Sequence, residues 1–292
     1  MSNTRQIRSR ISTAQNISKI TKAMEMVAAS KMKRAQDQAL SARPYSQELY
    51  KSLRAVSAMT DPAMHPLLTK HEGGFPVLLI ISTDKGLCGG LNGNLMKRLW
   101  QWRQAEGPDV QVVAVGRKAV MFSRALGIPL YAQFTELPEL VRTVDVQPIA
   151  ELLIERFLNH TFTSVDLLYT DFINTLSQQT KVDQLLPLAA TEPQQEVAPK
   201  GSVEQMHSEY TFEPGAKQIL NELLPFFIEN TLFHALLEAK ASEHSARMVA
   251  MKNASENAGD LVGELRLLYN KSRQQSITSE LLDITTAQLT LA

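Results

Sequence analysis

The chain has 292 residues, 44% of them hydrophobic and 21% charged, with a formal net charge of zero. That composition can bury a substantial core, and it excludes a disordered polyelectrolyte or a strongly basic nucleic-acid binder. Its single cysteine, Cys88, excludes an intrachain disulfide and points to a reducing compartment, and with no run of about 18 apolar residues the sequence offers no membrane-spanning helix.

The first element is basic. Residues 1–57 carry eleven Lys/Arg against three acids, a surplus of +8, whereas 58–213 carry −6 and 214–292 carry −2. An element this basic in a neutral chain expects an acidic partner. No glycine occurs before Gly73 and no proline before Pro44. Ile7, Ile11, Ala14, Ile17, Ile20, Met24 and Val27 recur at three- or four-residue spacing, which predicts one amphipathic helix from about residue 3 to the mid-50s, bent at Pro44.

The middle alternates. "PVLLIIS" (76–82) is a continuous apolar run of buried-strand type, followed by a Gly-rich turn and a helix over 92–105. "DVQVVAVG" (109–116) predicts a second strand and "RKAVMFSRALG" a second helix. "VQPIAELLIERFLNH" predicts a third helix, "SVDLLYTDFIN" (164–174) a further strand, and "QTKVDQLLPL" a sheet edge. Strands alternating with helices of this length predict a Rossmann-like α/β domain over 75–190. Residues 191–212 are polar and contain proline, the composition of a linker.

The C-terminal segment, 213–292, mirrors the first. Pro214 and Pro225 each mark a helix start, and no proline follows. Ala246, Ala250, Ala254, Ala258, Leu261, Leu265 and Leu268 form a second narrow stripe. About 60 residues give roughly 90 Å of helix, far beyond the average of about 11 residues. Two long helices with one stripe each, 1–58 and 213–292, predict an antiparallel coiled coil around an intervening α/β domain. After Asp283 the tail "ITTAQLTLA" is uncharged, which suits an apolar contact with a partner as well as folding back on its own domain.

Catalytic hardware is missing. "STDKGLCGGLNGNL" (82–95) sits at a strand-to-helix junction where a phosphate could bind. It lacks both the G-x-G-x-x-G and the G-x-x-x-x-G-K-[ST] order and reads better as a tight structural turn. Lys85 lies near Cys88 and could lower its pKa, but no histidine partner can be placed. The six histidines form no H-E-x-x-H or Cys/His cluster, so neither metal nor cofactor is expected. The lysine-rich face reads first as a solvated surface and second as a docking surface.

Five stretches together, "IRSRISTAQNISKITKAMEMVAASKM", "STDKGLCGGLN", "EPGAK", "ASEHSARMVAMKNASENAG" and "LYNKSRQQSITSELLDI", resemble the γ subunits of F-type ATP synthases. The resemblance runs over both ends and the central turn, in family order. It implies a non-catalytic central stalk whose coiled coil turns inside a ring of three α and three β subunits. The α/β domain would be a foot resting with the ε subunit on the membrane c-ring. It implies a protein peripheral to the cell membrane on its cytoplasmic side. Without a transit-type leader or the two-cysteine insert of photosynthetic members, a bacterial type is expected.

Position by position, the resemblance implies coupling roles for Met24, Arg247, Gln274, Thr278 and Glu280. It sets Lys19, Lys22, Lys31 and Lys33 against an acidic loop of the catalytic subunits, and Tyr210 and Glu213 in the foot near the c-ring. The family's Gly-Ala after the C-terminal signature is replaced here by Thr285, Thr286 and Ala287. The rivals are a coiled-coil adaptor with an α/β docking domain, and a nucleotide-using enzyme centred on Gly86–Gly93.

Overall fold

The computed structural model describes residues 2–58, 65–71, 73–188 and 215–291. Two helices dominate it: α1, Ser2–Ala58, of 57 residues, and α5, Ala216–Leu291, of 76. At 1.5 Å per residue these are roughly 85 and 115 Å long. Between them run β1 (Phe75–Ile81), α2 (Leu91–Glu106), β2 (Gln111–Val115), α3 (Arg117–Ala125), β3 (Leu130–Phe134), α4 (Thr143–Leu158), β4 (Phe162–Phe172) and β5 (Gln178–Leu186). The predicted linker, 191–212, lies outside the described residues.

The five strands form one sheet in the order β3-β2-β1-β4-β5. The first four are parallel, and β5 pairs antiparallel with β4 at one edge. Each face has its own core. On one face Leu78, Ile80, Val112 and Ala114 pack against Leu91, Leu95 and Leu99 of α2 and Ala119 of α3. On the other, Val77, Leu79, Ile81 and Val113 meet Ile149, Leu153 and Phe157 of α4 and the base of α5. Burial on both faces is why β1 is apolar throughout instead of alternating.

The long helices run antiparallel. Ser18 of α1 bonds Ser255 of α5, and Tyr45 packs edge-on against Phe226 with ring centroids 5.8 Å apart. As one number rises the other falls. In this register the start of α1 lies level with about residue 270, so the last twenty or so described residues of α5, roughly 30 Å, extend past the described start of α1. The predicted combination of an antiparallel coiled coil and a Rossmann-like α/β domain is the observed fold.

Strand β3 has no counterpart in the sequence reading, and two details of the long helices also differ from it. First, α5 is one helix through Pro225 instead of two. A proline inside a helix costs about 3 kcal/mol or more. Leu220, Leu224, Ile228 and Leu232, at most 1% exposed, each contribute roughly 1.5–3 kcal/mol by burial and outweigh it. Second, the predicted stripe on α1 drifts off the seam, for Ile17, Ile20 and Val27 are 48%, 59% and 57% exposed. The buried line takes every seventh residue: Ile7, Ala14, Ala28, Ala35, Leu49 and Val56, with half-buried Thr21 and Ala42 in the gaps. This is the heptad of a coiled-coil seam. Small residues occupy most of it, so the helices approach closely and the larger side chains face outward. On α5 Leu261 and Leu268 likewise turn outward, while Met251, Ala258 and Val262 fill the seam.

Candidate functional site

The Gly-rich turn and the "ASEHSARM" stretch of α5, remote in sequence, meet at the carboxyl ends of the strands. The turn first ties the domain together. Asp84 Oδ1 accepts from the Arg117 amide at 3.0 Å, the Thr83 carbonyl from Lys118 N at 3.1 Å, and Ser82 Oγ from Ala119 N at 2.7 Å. These bonds satisfy amides at the start of α3 that would otherwise lack partners. Gly116, at φ +89°, passes so close to Ser82 that an added Cβ would stand 2.4 Å from its carbonyl oxygen, so only glycine fits.

The turn then presents carbonyls, not amides, to α5. Arg247 donates to the Gly86 carbonyl at 3.2 Å and to Glu243 Oε1 at 2.7 Å. This is a cradle for a cation, the reverse of a phosphate loop. Cys88 is 2% exposed and its Sγ accepts from Asn92 Nδ2 at 3.0 Å. Burial pushes the thiol up, against the pull of the Arg247 charge. The lowering by Lys85 that its nearness in sequence suggested does not arise, so this is a core thiol and not a nucleophile.

Open α/β sheets bind ligands where the strand order reverses, here between β1 and β4. That crevice is occupied by α5. Leu236, Ala239, Lys240 and Glu243 fill it, leaving a cavity of about 20 Å³ beside Thr83 and Thr170. Small-molecule sites need hundreds of cubic ångströms. Ser242 Oγ donates to the Thr170 carbonyl at 3.1 Å and Ser245 Oγ to the Thr175 carbonyl at 2.6 Å. Both serines are fully buried, and their small size lets the helix lie against the strand ends. The crevice between β1 and β4 leaves no space for a nucleotide.

Around this level α5 is enclosed on every side, with Ala241 through Ser245 all buried. Glu139, on the loop between β3 and α4, reaches both long helices: Lys31 Nζ of α1 at 2.8 Å and His244 Nε2 of α5 at 2.5 Å. On the same loop the Val141 carbonyl accepts from Gln38 Nε2. Partial burial alone would raise the Glu139 pKa, but the Lys31 hydrogen bond, with His244 and Lys240 nearby, holds it below the usual carboxylate range. Burial holds His244 below the ordinary imidazole value.

The sequence-predicted residues divide into three groups. Lys31, its side chain 38% exposed, and Arg247, its side chain 12% exposed, stand at this level. Met24 is half-buried, and Lys19, Lys22 and Lys33 are exposed on the free part of α1. Lys22 pairs with Glu25 at 3.0 Å, while among the described residues Lys19 and Lys33 have no ionic partner. Gln274, Thr278 and Glu280 are exposed on the end of α5 that extends past the described start of α1, with Thr278 Oγ1 donating to the Gln274 carbonyl at 2.9 Å. Tyr210, Glu213 and the tail side chains from residue 287 on lie outside the described residues, whereas Ile284, Thr285 and Thr286 are exposed. Glu139, His244 and the paired serines escaped the sequence reading. Only the run of small residues in "ASEHSARM" signalled a close approach. Among the described residues no group of three or more His, Cys, Asp or Glu could hold a metal, and no helix is long and apolar enough to cross a membrane.

Comparison with known proteins bears on the whole chain. The family model described as ATP synthase matches residues 3–291. The ATP synthase gamma chain of Dehalococcoides mccartyi strain CBDB1 is 41% identical with full coverage of both chains. That of Polaromonas naphthalenivorans is 40% identical over 96% of each. Among solved structures, a chain of the Euglena gracilis mitochondrial ATP synthase rotor superposes with a TM-score of 0.67 at 19% identity, covering 94% of this chain and 99% of that one. A chain of the Tetrahymena thermophila central stalk and c-ring superposes with a TM-score of 0.61 at 23% identity, covering 81% and 99%.

Proposed function

The chain belongs to the ATP synthase gamma chain family, and on that premise we propose that it is the non-catalytic rotor shaft of the complex, turned at its α/β foot and acting at its coiled-coil end. Ion flow through a membrane c-ring turns the foot, with an ε subunit beside it. The shaft then presents changing faces to the α/β catalytic ring, where ATP is made or hydrolysed. The protein would sit at the cytoplasmic side of a bacterial cell membrane, reaching lipid only through the c-ring, with Tyr210 and Glu213 on the foot side.

One observation carries this reading: the shaft leaves the foot with its larger apolar side chains facing outward. Ile17, Ile20 and Val27 on α1, and Leu261, Leu268, Ile277 and Leu281 on α5, are each 47–59% exposed. A surface of this kind, interleaved with Lys19 and Lys33, suits an enclosing partner. Exposed ion pairs are worth only about 0–1 kcal/mol, so such charges attract a partner yet release it at each step. A desolvated pair would cost several kcal/mol to break. In this reading Met24, Arg247, Gln274, Thr278 and Glu280 help couple shaft angle to the state of the catalytic sites.

The test is reconstitution of the purified chain with α and β subunits. Stoichiometric incorporation with a severalfold rise in ATP hydrolysis is expected. Failure to incorporate, or incorporation with unchanged hydrolysis, overturns the proposal.

A further inference from the structure

Three bodies meet on one carboxylate. Glu139 belongs to the foot, Lys31 to α1 and His244 to α5, at 2.8 and 2.5 Å from its two oxygens. The contacts form an ordered chain of donors and acceptors. The Arg247 guanidinium can only donate, so the facing His244 Nδ1 accepts and the ring proton sits on Nε2, which donates to Glu139. The Nδ1 contact with Arg247 Nη1 spans 3.5 Å, and the tautomer is fixed by its partners. Arg247 continues the chain to the Gly86 carbonyl at 3.2 Å. Two foot segments, the loop before α4 and the turn after β1, thereby clasp the shaft where it emerges. Lys31 and Arg247 are the last residues on their helices that a described hydrogen bond or ion pair ties to the foot.

Apolar packing holds helix and sheet together but is non-directional, so it resists separation better than rotation. Short hydrogen bonds have preferred directions and resist a change of angle. The core below the collar supplies adhesion, and the directional bonds supply registration. Ser242, Ser245 and Arg247 fix α5 to the foot and Gln38 fixes α1, while Glu139 is the side chain that reaches both helices at once. We propose that Glu139 is a positioning residue for energy coupling: it keys the foot to both shaft helices, so that rotation of one is delivered to the other without angular slip. The proposal rests on the rotor reading above.

The test uses membrane vesicles carrying the whole complex, with ATP hydrolysis and ATP-driven ion pumping measured on the same preparation. Glu139→Ala should leave hydrolysis within about twofold of wild type and lower the ratio of pumping to hydrolysis by at least about threefold. Glu139→Gln, which keeps the shape but loses the charge, should fall between. In a cycle of Glu139→Ala and His244→Ala the double variant should do little more harm than either single one, because both cut the same chain. A wild-type ratio in Glu139→Ala, or fully additive losses in the cycle, overturns the proposal. Should Glu139→Ala not assemble, Glu139→Gln decides by the same ratio. Failure of the unmodified chain to incorporate with α and β would instead sink the rotor reading itself.

Discussion

Ser18 and Ser255 exchange hydrogen bonds across the coiled coil: each hydroxyl donates to the other's backbone carbonyl, at 3.3 and 3.2 Å. Hydroxyl-to-carbonyl bonding of this kind requires the two backbones to lie close, which the small residues along the seam permit. Ser18→Ala or Ser255→Ala should lower stability by about 1 kcal/mol. Ser255→Leu should do worse, by about 1–3 kcal/mol, because the added bulk pushes the helices apart. Urea unfolding followed by circular dichroism reads both.

Stability should fall on mild acidification. His244 lies below its ordinary pKa through burial. Glu243 and Glu139 oppose the shift, and Arg247 and Lys31 reinforce it. Burial and the neighbouring His160 lower His71 in the same way. The unfolded chain protonates these imidazoles near pH 6.5 while the folded chain does not. The unfolded state then holds more protons, and stability rises with pH. Stability is therefore full above about pH 6.5 and declines as pH falls from there towards the folded values. The urea midpoint should drop between about pH 7.5 and 5.5, and His71→Gln with His244→Gln should flatten that slope. The lowered carboxylate of Glu139 acts in the same sense but at lower pH.

Cys88 should be nearly inert in the native protein. Its thiol is buried and shifted upward, so both access and thiolate fraction are small. Reaction with a thiol reagent at pH 8 should run at least about a hundredfold slower than in the urea-unfolded chain, tracking local opening. Rapid native labelling would contradict the enclosed turn.

Reversing the free cations of the shaft should impair the assembled complex without unfolding the chain. Lys19→Glu with Lys33→Glu should slow ATP turnover or reduce coupling by up to about thirtyfold, from two exposed contacts of at most about 1 kcal/mol each. The defect should shrink in high salt, because exposed charges are screened over about 8 Å at physiological ionic strength. Unchanged rate and coupling at low salt would remove these lysines from the docking surface.

What was legible in the sequence depended on how local its cause is. β1 announced itself because a strand covered on both faces needs apolar residues throughout. β3, at the sheet edge and mostly half-buried, has no such requirement, and "LYAQF" carries no clear pattern. The long helices were visible from the absence of breakers, but their facing was not. The seam prefers Ala14, Ser18 and Ala28, whose small size is a packing property, whereas an apolar count favours Ile17 and Ile20. Pro225 looked like a boundary because its cost is local while the burial that offsets it is tertiary. Glu139 left no trace at all: its partner on α1 is 108 residues away, and nothing in "TELPEL" encodes that distance. The same holds for the cation cradle, where only the folded chain brings Arg247 to the Gly86 carbonyl.

The seven-residue spacing of the buried line on α1 has a mechanical corollary. A strict 3.5-residue period winds two α-helices about each other with a left-handed sense. Torque applied in one direction therefore tightens the wrap and presses Ala14 and Ala28 harder into their neighbours. Torque in the other loosens it and lets water reach them. Twisting a single shaft held at its foot, for instance through a magnetic bead, should meet unequal restoring forces clockwise and anticlockwise.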